Sequence, residues 1–302
     1  MNKAAIGLNI GLAAALLLVL LMSSQSSNGL SGEGAERVLP QIIKPMDLNR
    51  PFDFAGEAVP LDNFDARERL DRELTVNTYW QSSTMLAMKS TRRYFPTIER
   101  ILKEEGVPED FKYLAVAESS LRNAVSSAGA KGIWQFMRDT GRGYGLEINE
   151  EVDERYHLEK ATRSAARYLK DYYRRFGSWT LAAAAYNMGG PRLTSEMEKQ
   201  RATHYYELNL NEETARYVFR VVALKEILRR PRDFGFFLEE EDYYPALDRA
   251  RTVTVSGPVA NWGDFARQHG CNYRLLKIYN PWLISDKLAN SDKKTYEIKV
   301  PE

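Results

Sequence analysis

Between residues 67 and 230 apolar side chains recur at three- and four-residue intervals, the period of helices with one buried face. The pattern predicts a helix over 67–93 and a second that starts at Pro96, a favoured first-turn residue, and ends before Gly106. A third opens at Pro108 and runs to about Leu121. Later helices are expected over 158–176, closed by Gly177, over 178–188, closed by Gly189-Gly190-Pro191, and over 212–230, stopped by Pro231. No strand pattern is evident before residue 250. There the period changes: Arg251-Thr-Val-Thr-Val-Ser alternates as a strand does, two short helical stretches follow at 262–269 and 273–279, and Tyr296-Glu-Ile-Lys-Val reads as a second strand. The expectation is a mainly α chain ending in a small, separate βααβ module over 250–302, reached through the acidic, aromatic stretch 238–248.

The first 66 residues break this pattern. After Met1-Asn2-Lys3 an uncharged, apolar run covers residues 4–22, which suits an export signal or a bilayer-spanning anchor. No small-x-small cleavage site decides between the two. Residues 23–34 are rich in Ser and Gly, and Pro40, Pro45, Pro51 and Pro60 punctuate an aperiodic stretch, so 23–66 is expected to be a linker. An exported protein of the cell envelope follows, held at the membrane through residues 4–22 if they are retained.

Composition narrows the chemistry. Forty-two Lys+Arg against 41 Asp+Glu give a formal charge of +1, without the basic excess of a nucleic-acid binder. The single cysteine, Cys271, excludes an internal disulfide framework, and the three histidines lack metal-ligand spacing. No metal or other cofactor is expected. Gly141-x-Gly143-x-Gly145 follows no strand and does not read as a nucleotide loop.

One carboxylate stands out. Phe111, Leu114, Ala115, Glu118 and Leu121 fall on one face of a helix, which puts Glu118 on the stripe expected to face the core. Burial there would raise its pKa, as a proton donor to a glycosidic oxygen requires. Glu118 and Arg122 are also four apart, the spacing of an ordinary surface ion pair. Downstream lie a small-residue loop, Ser126-Ser-Ala-Gly-Ala-Lys-Gly, then Ile133-Trp-Gln-Phe-Met, expected as an apolar turn of helix, and an alanine-rich helix ending in Tyr186-Asn187.

Taken in order, Glu118-Ser-Ser, Ala128-Gly-Ala-x-Gly-Ile-Trp-Gln-Phe-Met, Ala185-Tyr-Asn-Met-Gly and Glu213-Thr-Ala-Arg-Tyr-Val resemble the successive motifs of lytic murein transglycosylases with the Slt-type, lysozyme-like domain. The Gly-Ile-Trp-Gln run and Thr140-Gly-Arg-Gly-Tyr-Gly-Leu are most similar to the MltD-type branch. The resemblance covers about residues 74–230. It implies a lysozyme-like catalytic domain, placed here at 67–237, that cleaves the MurNAc–GlcNAc β-1,4 bond of peptidoglycan glycan strands into 1,6-anhydro-muramyl products. It implies Glu118 as the single acid/base, with Ser126, Gln135, Met137, Tyr186, Asn187, Glu213 and Tyr217 lining the substrate cleft. The chain departs from the pattern in a loop one residue short before Gly129, which leaves Ser126 and Ser127 as alternatives, and in Leu121 and Phe219, where an aromatic residue and a proline are usual. Asp139 and Glu147 are the nearest further acids. A hydrolase of the same fold and an inactive wall-binding scaffold remain the competing readings.

Residues 250–302 resemble a LysM glycan-binding repeat, through Trp262-Gly-Asp-Phe-Ala and Leu275-x-x-x-Tyr-Asn-Pro-Trp282, but Gly257-Pro-Val-Ala stands in place of the usual Gly-Asp-Thr turn. Trp262 and Trp282 are expected in its core.

Overall fold

The computed structural model describes residues 43–302. The expected signal or anchor over 1–22 and the linker as far as residue 42 lie outside the described residues. No described helix is long and apolar enough to cross a membrane. Residues 46–302 make up one compact unit.

The stretch 46–62, expected to be linker, is built into the body instead. A two-residue hairpin pairs β1 (Asp53–Phe54) with β2 (Glu57–Ala58), and Leu48, Phe52, Phe54 and Val59 enter the main hydrophobic core. Its charges are anchored as well. Lys225, 2% exposed, bridges Asp53 (2.8 Å) and Asp110 (2.7 Å). The Glu57 carboxylate accepts from the Thr180 amide at 2.9 Å and also from the Trp179 amide, closing the N-terminus of a later helix. Sequence periodicity misses such a segment because each anchor is a single residue.

The first helix, α1 (Phe64–Tyr79), starts at Asn63, whose side chain accepts from the Asp65 amide, and buries Ala66, Leu70, Glu73, Leu74 and Thr78. The chain breaks at Trp80, not near residue 93, and α2 (Gln81–Glu104) continues through Pro96. A proline inside a helix costs about 3 kcal/mol. Here Ala87 and Met88 are buried before it, and Ile98, Ile101 and Leu102 after it, so core packing on both sides keeps the helix whole.

The short α3 (Phe111–Ser119) carries Glu118 and stops because Ser120 and Leu121 both adopt left-handed backbone (φ 52° and 57°). Residues 122–137 contain no helix. The expected helical turn at 133–137 is a compact loop in which Lys131 bridges to both Val125 and Phe136 and Gln135 sits at φ 49°. After α4 (Arg138–Gly143), α5 (Leu158–Phe176) ends on left-handed Gly177. Ser178 then caps α6 (Trp179–Met188), and a further helix, α7 (Gly190–Gln200), follows. Leu181 and Ala182–Ala185 are fully buried, small enough to let α6 lie close against α5 and α8 (Glu212–Arg229).

The C-terminal βααβ order is as the pattern predicts: β3 (Ala250–Val255), α9 (Trp262–Gln268), α10 (Tyr273–Tyr279) and β4 (Tyr296–Pro301), with β3 and β4 antiparallel from Ala250↔Pro301 to Val255↔Tyr296. Trp262 and Trp282 are both buried in its core. Contrary to a separate module, it is sutured to the helical body. Val152 of the body belongs to its core, and Leu283 bridges to Val152. The Asp153 amide donates to the Trp282 carbonyl (2.9 Å), the Ala289 amide to the Glu151 carboxylate (2.9 Å) and the Tyr296 hydroxyl to Glu147 (3.1 Å), while Lys299 pairs with Glu159.

Candidate active site

Three helices converge on Glu118. It stands one residue before the end of α3, half-buried. From α8, the Tyr217 hydroxyl donates a hydrogen bond to its Oε1, across 99 residues of sequence. Tyr186, near the end of α6, senses the Glu118 charge, and its own hydroxyl donates to the Trp134 carbonyl at 2.6 Å. Trp134 is in turn fixed by its indole N–H on Thr162 Oγ1 of α5 (2.9 Å). Arg122, the alternative surface partner, turns its Nε towards the Ser119 carbonyl (3.4 Å).

Burial dominates the electrostatics of Glu118 and raises its pKa to about 7. The hydrogen bond from Tyr217 pulls it down, the Glu213 carboxylate pushes it up, and Arg220 pulls it down again. The balance leaves a carboxyl that exchanges its proton near neutrality, as a group must that is to act as acid and then as base. Burial and the Glu118 charge both push the Tyr217 and Tyr186 hydroxyls well above their ordinary range, so both stay protonated and serve as donors.

The floor is the 120–137 loop. Ser119 Oγ donates to the Ile133 carbonyl (2.9 Å), tying the residue beside Glu118 to it. Gln135 spends its amide on the Gly132 (2.7 Å) and Ala124 (3.1 Å) carbonyls, and Ser126 Oγ accepts from the Ala130 amide (3.0 Å). Both side chains therefore hold the loop's shape. Ser127 is exposed, and Met137 is 46% exposed. Asn187 accepts from Thr214 Oγ1 (2.8 Å), clasping α6 to α8. Glu213 is solvent-exposed one helical turn before Tyr217, so it acts on Glu118 by its field alone. Of the other acids, Asp139 is exposed and Glu147 is engaged with Tyr296 and Lys294 of the C-terminal module.

Two supports went unrecognised in the sequence. Glu73 is fully buried on α1 and binds Arg216 (2.6 Å), the neighbour of Tyr217, and Arg220 (3.5 Å), the cation that acts on Glu118. It stands on an apolar stripe as Glu118 does, and that sign was available. Arg155, 4% exposed, pairs with Asp153 (2.6 Å) and donates to the Gly129 and Phe136 carbonyls (both 3.3 Å), bracing the loop from behind. Nothing local in the sequence marks that role. Among the described residues no group of three or more His, Cys, Asp or Glu is arranged to hold a metal ion.

Residues 95–209 match the transglycosylase SLT domain, and residues 251–302 match the soluble lytic transglycosylase C-terminal LysM-like domain. The membrane-bound lytic murein transglycosylase D of Escherichia coli K12 is 31% identical over 247 residues, which is 79% of this chain and 53% of that protein, and its counterpart in Escherichia coli O6:H1 matches equally. The chain thus spans about half the length of the curated relatives it matches. The crystal structure of the 70 kDa soluble lytic transglycosylase of Escherichia coli aligns with 50% of this chain and 26% of its own, at 21% identity and a TM-score of 0.40. The chain thus carries a transglycosylase SLT domain over residues 95–209 followed by a LysM-like domain of the soluble lytic transglycosylase type over residues 251–302.

Proposed function

We propose that this protein cleaves the glycan strands of peptidoglycan as a lytic transglycosylase, with Glu118 as the single acid/base. The observation that carries the reading is a carboxyl desolvated to a pKa of about 7, held by a tyrosine hydroxyl inside an SLT-type domain. Glu118 gives its proton to the oxygen linking C1 of N-acetylmuramic acid to C4 of N-acetylglucosamine, and the C1–O bond breaks. The carboxylate then takes the proton of the muramyl 6-hydroxyl as that oxygen bonds to C1, closing a 1,6-anhydro ring. The acid is regenerated and no water is consumed. Acid–base assistance of this kind is worth about 10²- to 10⁴-fold.

Tyr217 holds Glu118 in one orientation, and Tyr186 and the 120–137 loop shape the cleft that receives the sugar. Residues 1–22 deliver the domain to the cell envelope. Glu213 favours one rival: a second carboxylate whose field reaches Glu118 suits a hydrolase in which water replaces the 6-hydroxyl. One digest separates the readings. Purified peptidoglycan treated with the protein should release muropeptides one water lighter than hydrolytic fragments, and Glu118→Gln should release none. Reducing-end products would mean hydrolysis, and products that persist with Glu118→Gln would remove Glu118 from the chemistry.

A further inference from the structure

A cavity of about 450 Å³ lies where the C-terminal module meets the helical body. That volume falls in the range of small-ligand sites, about 300–1,000 Å³. Its walls come from α2, the 120–137 loop, the start of α5, the segment before β3, the end of α10 and β4. One of its wall residues, Ile133, has a carbonyl that accepts from Ser119, the neighbour of Glu118.

Of the charges on these walls, Arg92 pairs with Glu240 and Lys299 with Glu159, but three others are left over. Asp248 and Glu297 line the cavity, and neither carboxylate has a hydrogen-bond or ion-pair partner among the described residues. Arg93 also lines it; its Nε donates to the Pro245 carbonyl (3.0 Å), its guanidinium lies over the Tyr244 ring at 5.6 Å, and it meets no carboxylate among the described residues. An aromatic wall also lines the space, Trp282 stacked on His157 at 5.4 Å, with His157 Nδ1 facing the Glu159 carboxylate at 3.3 Å. Unpaired charges of both signs around one partly apolar space are complementary to a ligand that itself carries both. A neutral sugar would use neither.

We propose that this cavity is a binding site for a short peptide bearing a free ammonium and free carboxylates. Resting on the peptidoglycan reading above, the peptide is the branch of the strand whose glycan lies at Glu118. Asp248 and Glu297 take the ammonium, Arg93 takes a carboxylate, and the aromatic wall packs the aliphatic stem between them. The module then contributes to substrate choice through a site it shares with the body, apart from any glycan binding of its own.

The test is calorimetric titration of the full-length protein with the glycan-free tripeptide Ala-γ-Glu-Lys. Saturable one-to-one binding is expected, equal in wild type and Glu118→Gln. It should be weakened about tenfold or more in the double variant Asp248→Asn/Glu297→Gln and in Arg93→Gln, as loss of charge-assisted hydrogen bonds predicts. An N-acetylated, C-amidated tripeptide with acetylated lysine should not bind. No saturable binding at millimolar peptide, equal binding by the variants, or equal binding of the capped peptide would each overturn the proposal. Because the readout needs no cleavage, peptide binding without muropeptide release would sink only the function proposed above. Muropeptide release without peptide binding would sink only the cavity.

Discussion

Replacing Glu118 by glutamine should abolish cleavage and, above neutral pH, make the protein more stable. The folded state holds the Glu118 proton up to a pH of about 7, whereas an unperturbed glutamate releases it near 4.5. Below pH 4.5 folded and unfolded chains both carry the proton and the group is neutral in each. Between 4.5 and 7 the folded state binds more protons, so stability falls as pH rises, and above 7 the full cost is present. The difference amounts to about 3 kcal/mol at most, since Glu118 keeps some solvent contact. Glutamine has the same size, keeps an oxygen to accept from Tyr217 and has no charge to desolvate, so it escapes this cost. Urea unfolding at pH 4 and pH 8 measures the gap between wild type and variant. It should be near zero at pH 4 and about 3 kcal/mol in favour of the variant at pH 8. An equal gap at both pH values, or a variant less stable than wild type at pH 8, would refute the claim that burial sets the state of this carboxyl.

Tyr217→Phe removes the donor that favours the ionised form, so the pKa of Glu118 should rise. The high-pH limb of kcat/KM for muropeptide release should move up by about one pH unit, the worth of one charge-assisted hydrogen bond; an unmoved or lowered limb counts against the contact. Gly132→Ala should destabilise by about 3 kcal/mol in urea titrations, because its backbone has φ 82° and an added Cβ would stand 1.9 Å from the Arg155 carbonyl oxygen. Gly129→Ala, at φ 84° with open space around it, should cost only about 1 kcal/mol, and similar costs at both sites would show that the Arg155 contact does not constrain the loop.

Much of the helical body was legible because its signals are local. The helix over 158–176 ends at Gly177 and the next begins at Ser178, since the residues that start and stop them also carry the hydrogen bonds or backbone freedom that do so. Pro96 misled for the same reason. Its local preference for a first turn was overridden by Ile98, Ile101 and Leu102, whose burial is a tertiary fact. The loop at 133–137 looked helical because Ile133, Trp134 and Phe136 are apolar. They are buried by Thr162, Tyr168, Tyr186 and the Arg155 brace, all remote in sequence.

The site divides along the same line. The apolar stripe of one helix marked Glu118 as a carboxylate on the face that becomes buried, and the order of the later motifs pointed to its family. Side-chain period and capping chemistry act over a few residues and survive in a linear chain. That Tyr217 is the group that grips Glu118, that Gln135 and Ser126 are spent on holding a loop, and that Glu73 backs Arg216 and Arg220 were decided only when α1, α3, α6 and α8 came together. So was the docking of the C-terminal module, whose contacts with Glu147, Glu151 and Glu159 join residues more than 120 positions apart. A pKa is the sum of everything packed around a group, and packing across such separations leaves no mark on the local sequence.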